Sequence, residues 1–445
     1  MSAGPTDTTA ISAPGKVLLA GGYLVLDRAY TGLVFGLSAR INVIARAIET
    51  SPGVQLSEIV VDSPQFQDAK WTYGYHLADE DGGIQVTQLQ TGTTANANPF
   101  VETTLSYALT YVSSLAKLSP AHSITASRLT ILADNDYYSQ PDNVSSTPSQ
   151  RFTRFPTTLS GANKTGLGSS AALVTSLTAA VLSHYLPTTL FDIYTAAGKD
   201  TLHNLAQAAH CAAQGKVGSG FDVAAAVYGS CTYQRFSPSV LEGIPEPGQP
   251  GFSTTLQNVI SGSGWDTEIA KGSVALPAGV AVRMCDVDCG SQTVSMVKKV
   301  LAWRSSAPED SKLLWDTLQE RNGKLATVLR DGAVDELPAA IGSIRELVRK
   351  MGTESGVPIE PESQTELLDA VSTVEGVYGG VVPGAGGFDA VSLLIKDDEA
   401  TASRLEAFLA KWSQDKGGRV RLLKVKGEME GARKEDTSIY GGWIN

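Results

Sequence analysis

The hydrophobic pattern divides the chain into alternating and helical stretches. Residues 16–26, KVLLAGGYLVL, are apolar with a Gly-Gly break and predict two short strands joined by a turn. Residues 33–48 alternate loosely, are rich in Val, Ile and Leu, and predict a further strand. Residues 50–95 are polar with short alternating runs, the pattern of a meander or hairpins. A helix is expected over 100–117 and a strand at 129–134, followed by a Pro-, Asn- and Ser-bearing loop at 135–150. From Ser169 to Leu186 the Ala-rich sequence is helical, and Leu173, Leu177, Val181 and Tyr185 recur at helical spacing, so one face is buried. A second helix covers 199–214 and ends at Gly215. The stretch 243–252, GIPEPGQPGF, is the densest Pro/Gly cluster and places a domain boundary just after it, near 265, giving domains 1–265 and 266–445. Beyond it, strands at 279–287, 377–382, 388–396 and 419–426 mix with helices at 292–304, 310–330, 334–351, 363–374 and 399–413. That mixture predicts an α+β second domain.

Composition narrows the function classes. With 445 residues and 42% hydrophobic content, the chain can bury a large core and form two or three domains. No run of about 18 apolar residues occurs, so no membrane span is expected. The opening MSAGPTDTTA lacks the basic region and apolar stretch of a signal peptide, and the expected location is the cytoplasm. Cys211, Cys231, Cys285 and Cys289 are too sparse for a disulfide scaffold, and no second Cys/His pair follows Cys285 and Cys289 at zinc spacing; ordinary reduced thiols are expected. The net charge of −11 argues against nucleic-acid binding. It leaves room for an anionic small substrate, because local Lys, Arg and backbone N–H groups reverse the sign inside a cleft.

Candidate chemistry concentrates in glycine-rich segments: Ala13-Pro14-Gly15-Lys16, KTGLGSSAA from Lys164 to Ala172, and Pro383-Gly384-Ala385-Gly386-Gly387-Phe388-Asp389. In the second, Gly166 and Gly168 permit backbone angles closed to other residues and leave no Cβ in a ligand's way. Ser169 and Ser170 then open a helix, whose free N–H groups and partial positive charge favour phosphate. A Ser hydroxyl there also suits Mg²⁺, which takes oxygen ligands. A P-loop is excluded, since Leu167 rather than Lys follows Gly166. Gly166, Gly168 and Ala171 literally fit the dinucleotide pattern G-x-G-x-x-A, but residues 156–165, PTTLSGANKT, are not the apolar strand that pattern requires. An ordinary glycine entry to a core helix is the other reading of the loop alone.

The three segments, in this order and spanning residues 13–389, resemble the motifs of the GHMP kinase family, which includes galactokinase and the homoserine, mevalonate and phosphomevalonate kinases. APGKVLLAGGYLVLD, ADNDYYSQ, KTGLGSSAALVTSLTAAVL, GKVGSGFDVAAAVYGS and VVPGAGGFDAVSLL are most similar to the fungal-type phosphomevalonate branch. Gly21-Gly22-Tyr23, where mevalonate kinases have Gly-Glu-His, and Gly161-Ala162-Asn163-Lys164, where they have a Pro-rich lead, favour that branch over mevalonate kinase. The resemblance implies an α+β fold, with an N-terminal domain like ribosomal protein S5 domain 2 and a ferredoxin-like C-terminal domain. It implies ATP and Mg²⁺ as cofactors and 5-phosphomevalonate as acceptor, in a monomer or homodimer without nucleic-acid or membrane partners. Another small-molecule kinase of the family, or a non-catalytic sensor of the same fold, are the alternatives.

The resemblance also distributes roles. Lys16 is expected to stabilise the transferred group, and Asp222, in Gly218-Ser219-Gly220-Phe221-Asp222, to orient Lys16 and the acceptor. Asp222 also suits a helix N-cap before Val223. Lys164, Gly166, Leu167, Gly168, Ser169, Ser170 and Ala171 form the expected ATP loop, with Asn135 a further nucleotide contact and Ser170 the metal ligand. Lys216 is a further cation beside the phosphates. The stretch Ala209-His210-Cys211 lacks the Glu ligand of mevalonate kinases, leaving Asp134 and Asp136 as possible acids. Tyr23, Ser219, Gly220, Ala385 and Gly386 complete the expected acceptor site. Ser291, Thr293 and Ser295, before Lys298 and Lys299, suit either the acceptor's phosphate or plain helix capping.

Overall fold

The computed structural model describes residues 8–51, 56–90, 96–116, 124–139, 151–287 and 293–444. Its spine is β1 (Thr9–Ala20) paired antiparallel with β2 (Thr31–Ala47). Both are buried on both faces for most of their length, so each reads as a nearly unbroken apolar run. The Gly21-Gly22 break does not return as a hairpin. β1 ends at Ala20, opposite Leu33, and the chain turns through Gly21 (φ +92°) and Tyr23 (φ +66°) into a short 3₁₀ turn, Leu24–Leu26. The expected second strand is therefore absent: β2, not the segment after the glycines, pairs with β1.

β2 also pairs with β6 (Ser127–Ala133), and β6 lies parallel to β3 (Glu58–Asp62). β4 (Lys70–Leu77) and β5 (Ile84–Leu89) complete an antiparallel meander. On the other end of β2 lie β7 (Cys231–Gln234) and β8 (Glu268–Ala270). The helices packed on this half are α1 (Pro99–Ala116), α2 (Ser169–Tyr185), α3 (Ala196–Gln214), α4 (Phe221–Tyr228) and α5 (Phe252–Ser261). Helix α2 is buried almost all round rather than on one face, because small Ala, Ser and Thr side chains let neighbours close in on every side.

The second half runs β9 (Val280–Val287), α6 (Thr293–Ser306), α7 (Pro308–Asp331), α8 (Leu337–Ser355), α9 (Glu362–Val371), β10 (Val377–Val381), β11 (Ala390–Lys396), α10 (Glu399–Lys416) and β12 (Val420–Glu428). Its strands are antiparallel in the order β10-β11-β9-β12, the ferredoxin-like arrangement. The end of β12 reaches β2, pairing Gly427 with Leu37 and Glu428 with Gly36. After it, β13 (Arg433–Lys434) lies on β1, and Tyr440 is buried with its hydroxyl on Asn42. Arg40 on β2, only 1% exposed, donates to Ser12, Glu428 and the Gly431 carbonyl. The chain's last segment thus supplies the acidic partner of a cation buried near its beginning.

Candidate active site

The site is built where β1 meets the starts of α2 and α4. The Lys16 backbone N–H donates to the Leu167 carbonyl at 2.9 Å, so the strand grips the loop before α2. That seat needs Gly15: a Cβ there would lie 2.9 Å from both the Leu167 carbonyl oxygen and the Tyr137 hydroxyl. The loop is held from its other side as well. The Thr165 hydroxyl donates to the Asp136 carbonyl at 2.6 Å, and the Thr165 N–H to the Tyr137 carbonyl. Leu167 is buried, which leaves the backbone of Gly166 and Gly168 outward. Gly168 caps α2 in the left-handed conformation (φ +80°), with no side chain on the first N–H groups of the helix. Those donors and the helix dipole face the site, with Ser169, Ser170 and Ala171 as the first turn.

The Lys16 side chain lies along Gly168, and its ammonium is 3.4 Å from the Gly166 carbonyl and 5.6 Å above the Phe221 ring. Burial lowers its pKa, while the negative charge of Asp222 works in the opposite direction. Asp222 lies in the first turn of α4 and accepts from the Val223 N–H at 3.0 Å. It is not the N-cap; Gly220, at φ +85°, takes that place. The approach to α4 is braced from below. Tyr233 donates to the Ser219 carbonyl at 2.6 Å, and Arg235 donates to the Gly218 and Leu26 carbonyls. Arg235 thereby ties this loop to the turn that follows Tyr23. Sequence reading passed over it, because an Arg after an apolar strand carries no motif.

The third segment reaches the first. The Gly384 N–H donates to the Leu18 carbonyl, and the Tyr23 hydroxyl to the Ala385 carbonyl at 2.7 Å. A Cβ on Gly22 would fall 2.1 Å from the Gly384 oxygen, so backbone touches backbone there. Gly386 and Gly387 lean on the Ile359 carbonyl.

Other expected residues lie elsewhere or do other work. Asp134 is buried and accepts from the Arg40 N–H and the Arg151 guanidinium, so it is a brace and not a spare carboxylate. Asp136 accepts from the Lys424 N–H at the junction with β12, and burial raises its pKa. Asn135 sits in the same turn and does not line the cavity described below. Lys164 is exposed but does line the cavity described below, whereas Lys216 is exposed and does not. Ser291 and Cys289 lie outside the described residues, as does the side chain of Thr293; Ser295, Lys298 and Lys299 are exposed on α6.

A cavity of about 350 Å³ opens beside Ser169 and Ser170. Phe66, Trp71, Phe100 and Tyr138 give it aromatic walls, with Asn96 and Asn98 among its polar groups. An aromatic slot next to a helix start with free N–H groups has the size and chemistry to suit a purine nucleotide. Phe66, Trp71, Asn96, Asn98 and Phe100 come from β4, α1 and the turns before them, where no local motif marked them, and Tyr138 comes from the turn after β6, within ADNDYYSQ. Against Ser170 lies His210 of α3, its Nε2 3.1 Å from the hydroxyl oxygen. Among the described residues no cluster of three His, Cys, Asp or Glu side chains could hold a metal. A lone hydroxyl fits Mg²⁺ that arrives on a nucleotide's phosphates, the usual way this cation is bound. No helix among the described residues is long and apolar enough to cross a membrane.

Comparison with known proteins gives a consistent result. The family model for the GHMP kinases N terminal domain matches residues 154–230, which hold the second segment and the Asp222 loop. The chain is 66% identical over 438 residues to phosphomevalonate kinase ERG8 of Gibberella zeae, covering 98% of this chain and 99% of that one. It is 45% identical over 489 aligned residues to phosphomevalonate kinase erg8 of Aspergillus fumigatus, covering 99% of each. Among solved structures, Streptococcus pneumoniae phosphomevalonate kinase in complex with phosphomevalonate and AMPPNP superposes with a TM-score of 0.63 over 94% of this chain and 99% of that one, at 16% identity. That last likeness is one of fold.

Proposed function

Because the chain belongs to the phosphomevalonate kinases of the GHMP family, we propose that it transfers the γ-phosphoryl group of ATP to the phosphate of 5-phosphomevalonate, releasing ADP and 5-diphosphomevalonate. The observation that carries this reading is Lys16, pinned between the Gly166–Gly168 loop and Phe221-Asp222.

Two anions must meet, so positioning and charge neutralisation dominate the barrier. The nucleotide's base occupies the aromatic cavity and its phosphates the start of α2. Lys16 then faces the group in transit from one side, with Asp222 behind it. The acceptor oxygen belongs to a phosphate whose second pKa lies near 6, so it is largely ionised at neutral pH. A strong base is unnecessary. Asp222 instead works through its charge, favouring the protonated form of Lys16 against the effect of burial. Tyr23, Ser219 and Gly220 border the acceptor side; Ala385 and Gly384 hold the Tyr23 turn in place, while Gly386 packs on Ile359 behind them. Ser170 would be the protein ligand of a Mg²⁺ carried on the phosphates, which would add charge neutralisation when bound. The proposed division into two domains near residue 265 places the phosphate loop, Lys16 and Asp222 on the first and the supporting 383–389 segment on the second. The cytoplasm is the proposed location.

The test is ADP release measured with 5-phosphomevalonate against mevalonate. Turnover with the first and little with the second is expected; the reverse preference would overturn the assignment of the acceptor.

A further inference from the structure

We infer that His210 is a positioning residue for Ser170: it takes the serine's hydroxyl proton in a hydrogen bond, so that the oxygen lone pairs face the nucleotide's phosphates and the cation they carry. This rests on the nucleotide reading above and specifies how that site is set.

The geometry is local and closed. His210 is 3% exposed, in the last turns of α3. Its Nε2 lies 3.1 Å from Ser170 Oγ and 3.0 Å from the side-chain nitrogen of Gln214, one helical turn further on. The Phe100 ring lies 5.8 Å from the imidazole, inclined by 33°, and Phe100 itself walls the cavity that Ser170 lines. The imidazole therefore sits behind both the phosphate end and the base end of the proposed nucleotide site.

The orientation of the Gln214 amide sets the donor and acceptor assignment. With the Gln214 amide nitrogen turned toward it, Nε2 carries no proton, the ring proton is on Nδ1, and the one Nε2 lone pair is shared between the Gln214 N–H and the Ser170 hydroxyl. Against a bare nitrogen, the Ser170 hydroxyl can only donate. An unrestrained hydroxyl would turn its hydrogen toward a neighbouring phosphate. Here that hydrogen is engaged by α3, and both lone pairs remain for a hard cation, which takes oxygen donors. With no metal-holding cluster of His, Cys, Asp or Glu among the described residues, the orientation of this one hydroxyl has unusual weight. Sequence reading marked position 210 only by the carboxylate it lacks.

The experiment is calorimetric titration of the full chain with ADP, with Mg²⁺ and with EDTA, the ratio of the two affinities giving the magnesium-linked gain. His210→Leu should reduce that gain by roughly tenfold or more, the range typical of groups that orient metal ligands, while ADP affinity in EDTA and thermal stability hold. Ser170→Ala should lose a similar amount, and the double variant no more than Ser170→Ala alone. His210→Gln places an amide oxygen within the same reach and should keep most of the gain. A full gain in His210→Leu, additive losses in the double variant, or a His210→Gln as impaired as His210→Leu would each overturn the inference. Wild-type chain that fails to bind ADP under either condition would instead overturn the nucleotide reading on which it rests.

Discussion

Two helix starts flank Lys16, and they are alike in form but opposite in surroundings. Both α2 and α4 begin at a left-handed glycine, Gly168 and Gly220, with no side-chain cap. Around α2 the loop is open: a Cβ on Gly166 would meet nothing within 4 Å, and the nearest atoms to one on Gly168 belong to the flexible Lys16 side chain. Around α4 it is closed: a Cβ on Gly220 would lie 2.6 Å from the Tyr233 hydroxyl and 2.8 Å from the Gln207 side-chain oxygen. The same backbone device serves different ends. At α2 the missing side chain leaves room for a ligand; at α4 it lets the protein close on itself and fix Asp222.

The sharpest way to break this comparison is to remove what lies between the two starts. Lys16→Met should fold, with thermal stability close to wild type, and lose roughly 10²–10³-fold in kcat, the magnitude seen when one preorganised stabilising group is deleted. Near-normal turnover would show that neither loop is organised around this ammonium. The next effect separates the loops. Gly220→Ala forces a left-handed alanine against packed neighbours and should destabilise the fold by about 1–3 kcal/mol, read as a lower Tm together with lost turnover. Gly166→Ala meets no neighbour. Its cost is the left-handed conformation alone, about 1–2 kcal/mol, and should appear chiefly as a raised KM for ATP. Equal losses of Tm in the two variants would erase the distinction.

The smallest effect is a displacement along the pH axis. Burial lowers the pKa of Lys16, so its charged form should be lost, and kcat/KM should fall, at a pH below the ordinary lysine value of about 10.4. Asp222 opposes that shift, so Asp222→Asn should move the alkaline limb lower still. Between the lowered and the ordinary pKa the unfolded chain holds the extra proton, so this lysine's contribution to stability rises with pH across that window. A limb that moves upward in Asp222→Asn would contradict the proposed part played by the carboxylate.

Much of this was legible in the sequence. The Gly-Ser start of α2, the order of the three segments and the alternation in β9, β10, β11 and β12 are local patterns, and local patterns survive in one dimension. Elements packed on all sides were read less well. The apolar run from Lys16 predicts a strand beginning there, whereas β1 begins at Thr9 and lies between β2 and β13. The aromatic cavity, the Arg235 clamp and the His210–Ser170 contact join segments tens to hundreds of residues apart, so no window of sequence contains them. Asp134 was misread for the same reason: its acidity was visible, but the Arg40 and Arg151 partners that use it were not.

Those distant partners have a consequence in time. Arg40 emerges early in synthesis, but Glu428, which meets its guanidinium at 2.8 Å, is made 388 residues later. At translation speeds of roughly 5–20 residues per second, that is an interval of about 20–80 s. Throughout it, β1 and β2 have neither β13 along one edge nor a carboxylate for the cation they enclose. β1 and β2 are thus completed long after they are made, and the Lys16 segment they carry gains its final support only once residues 428–434 have followed.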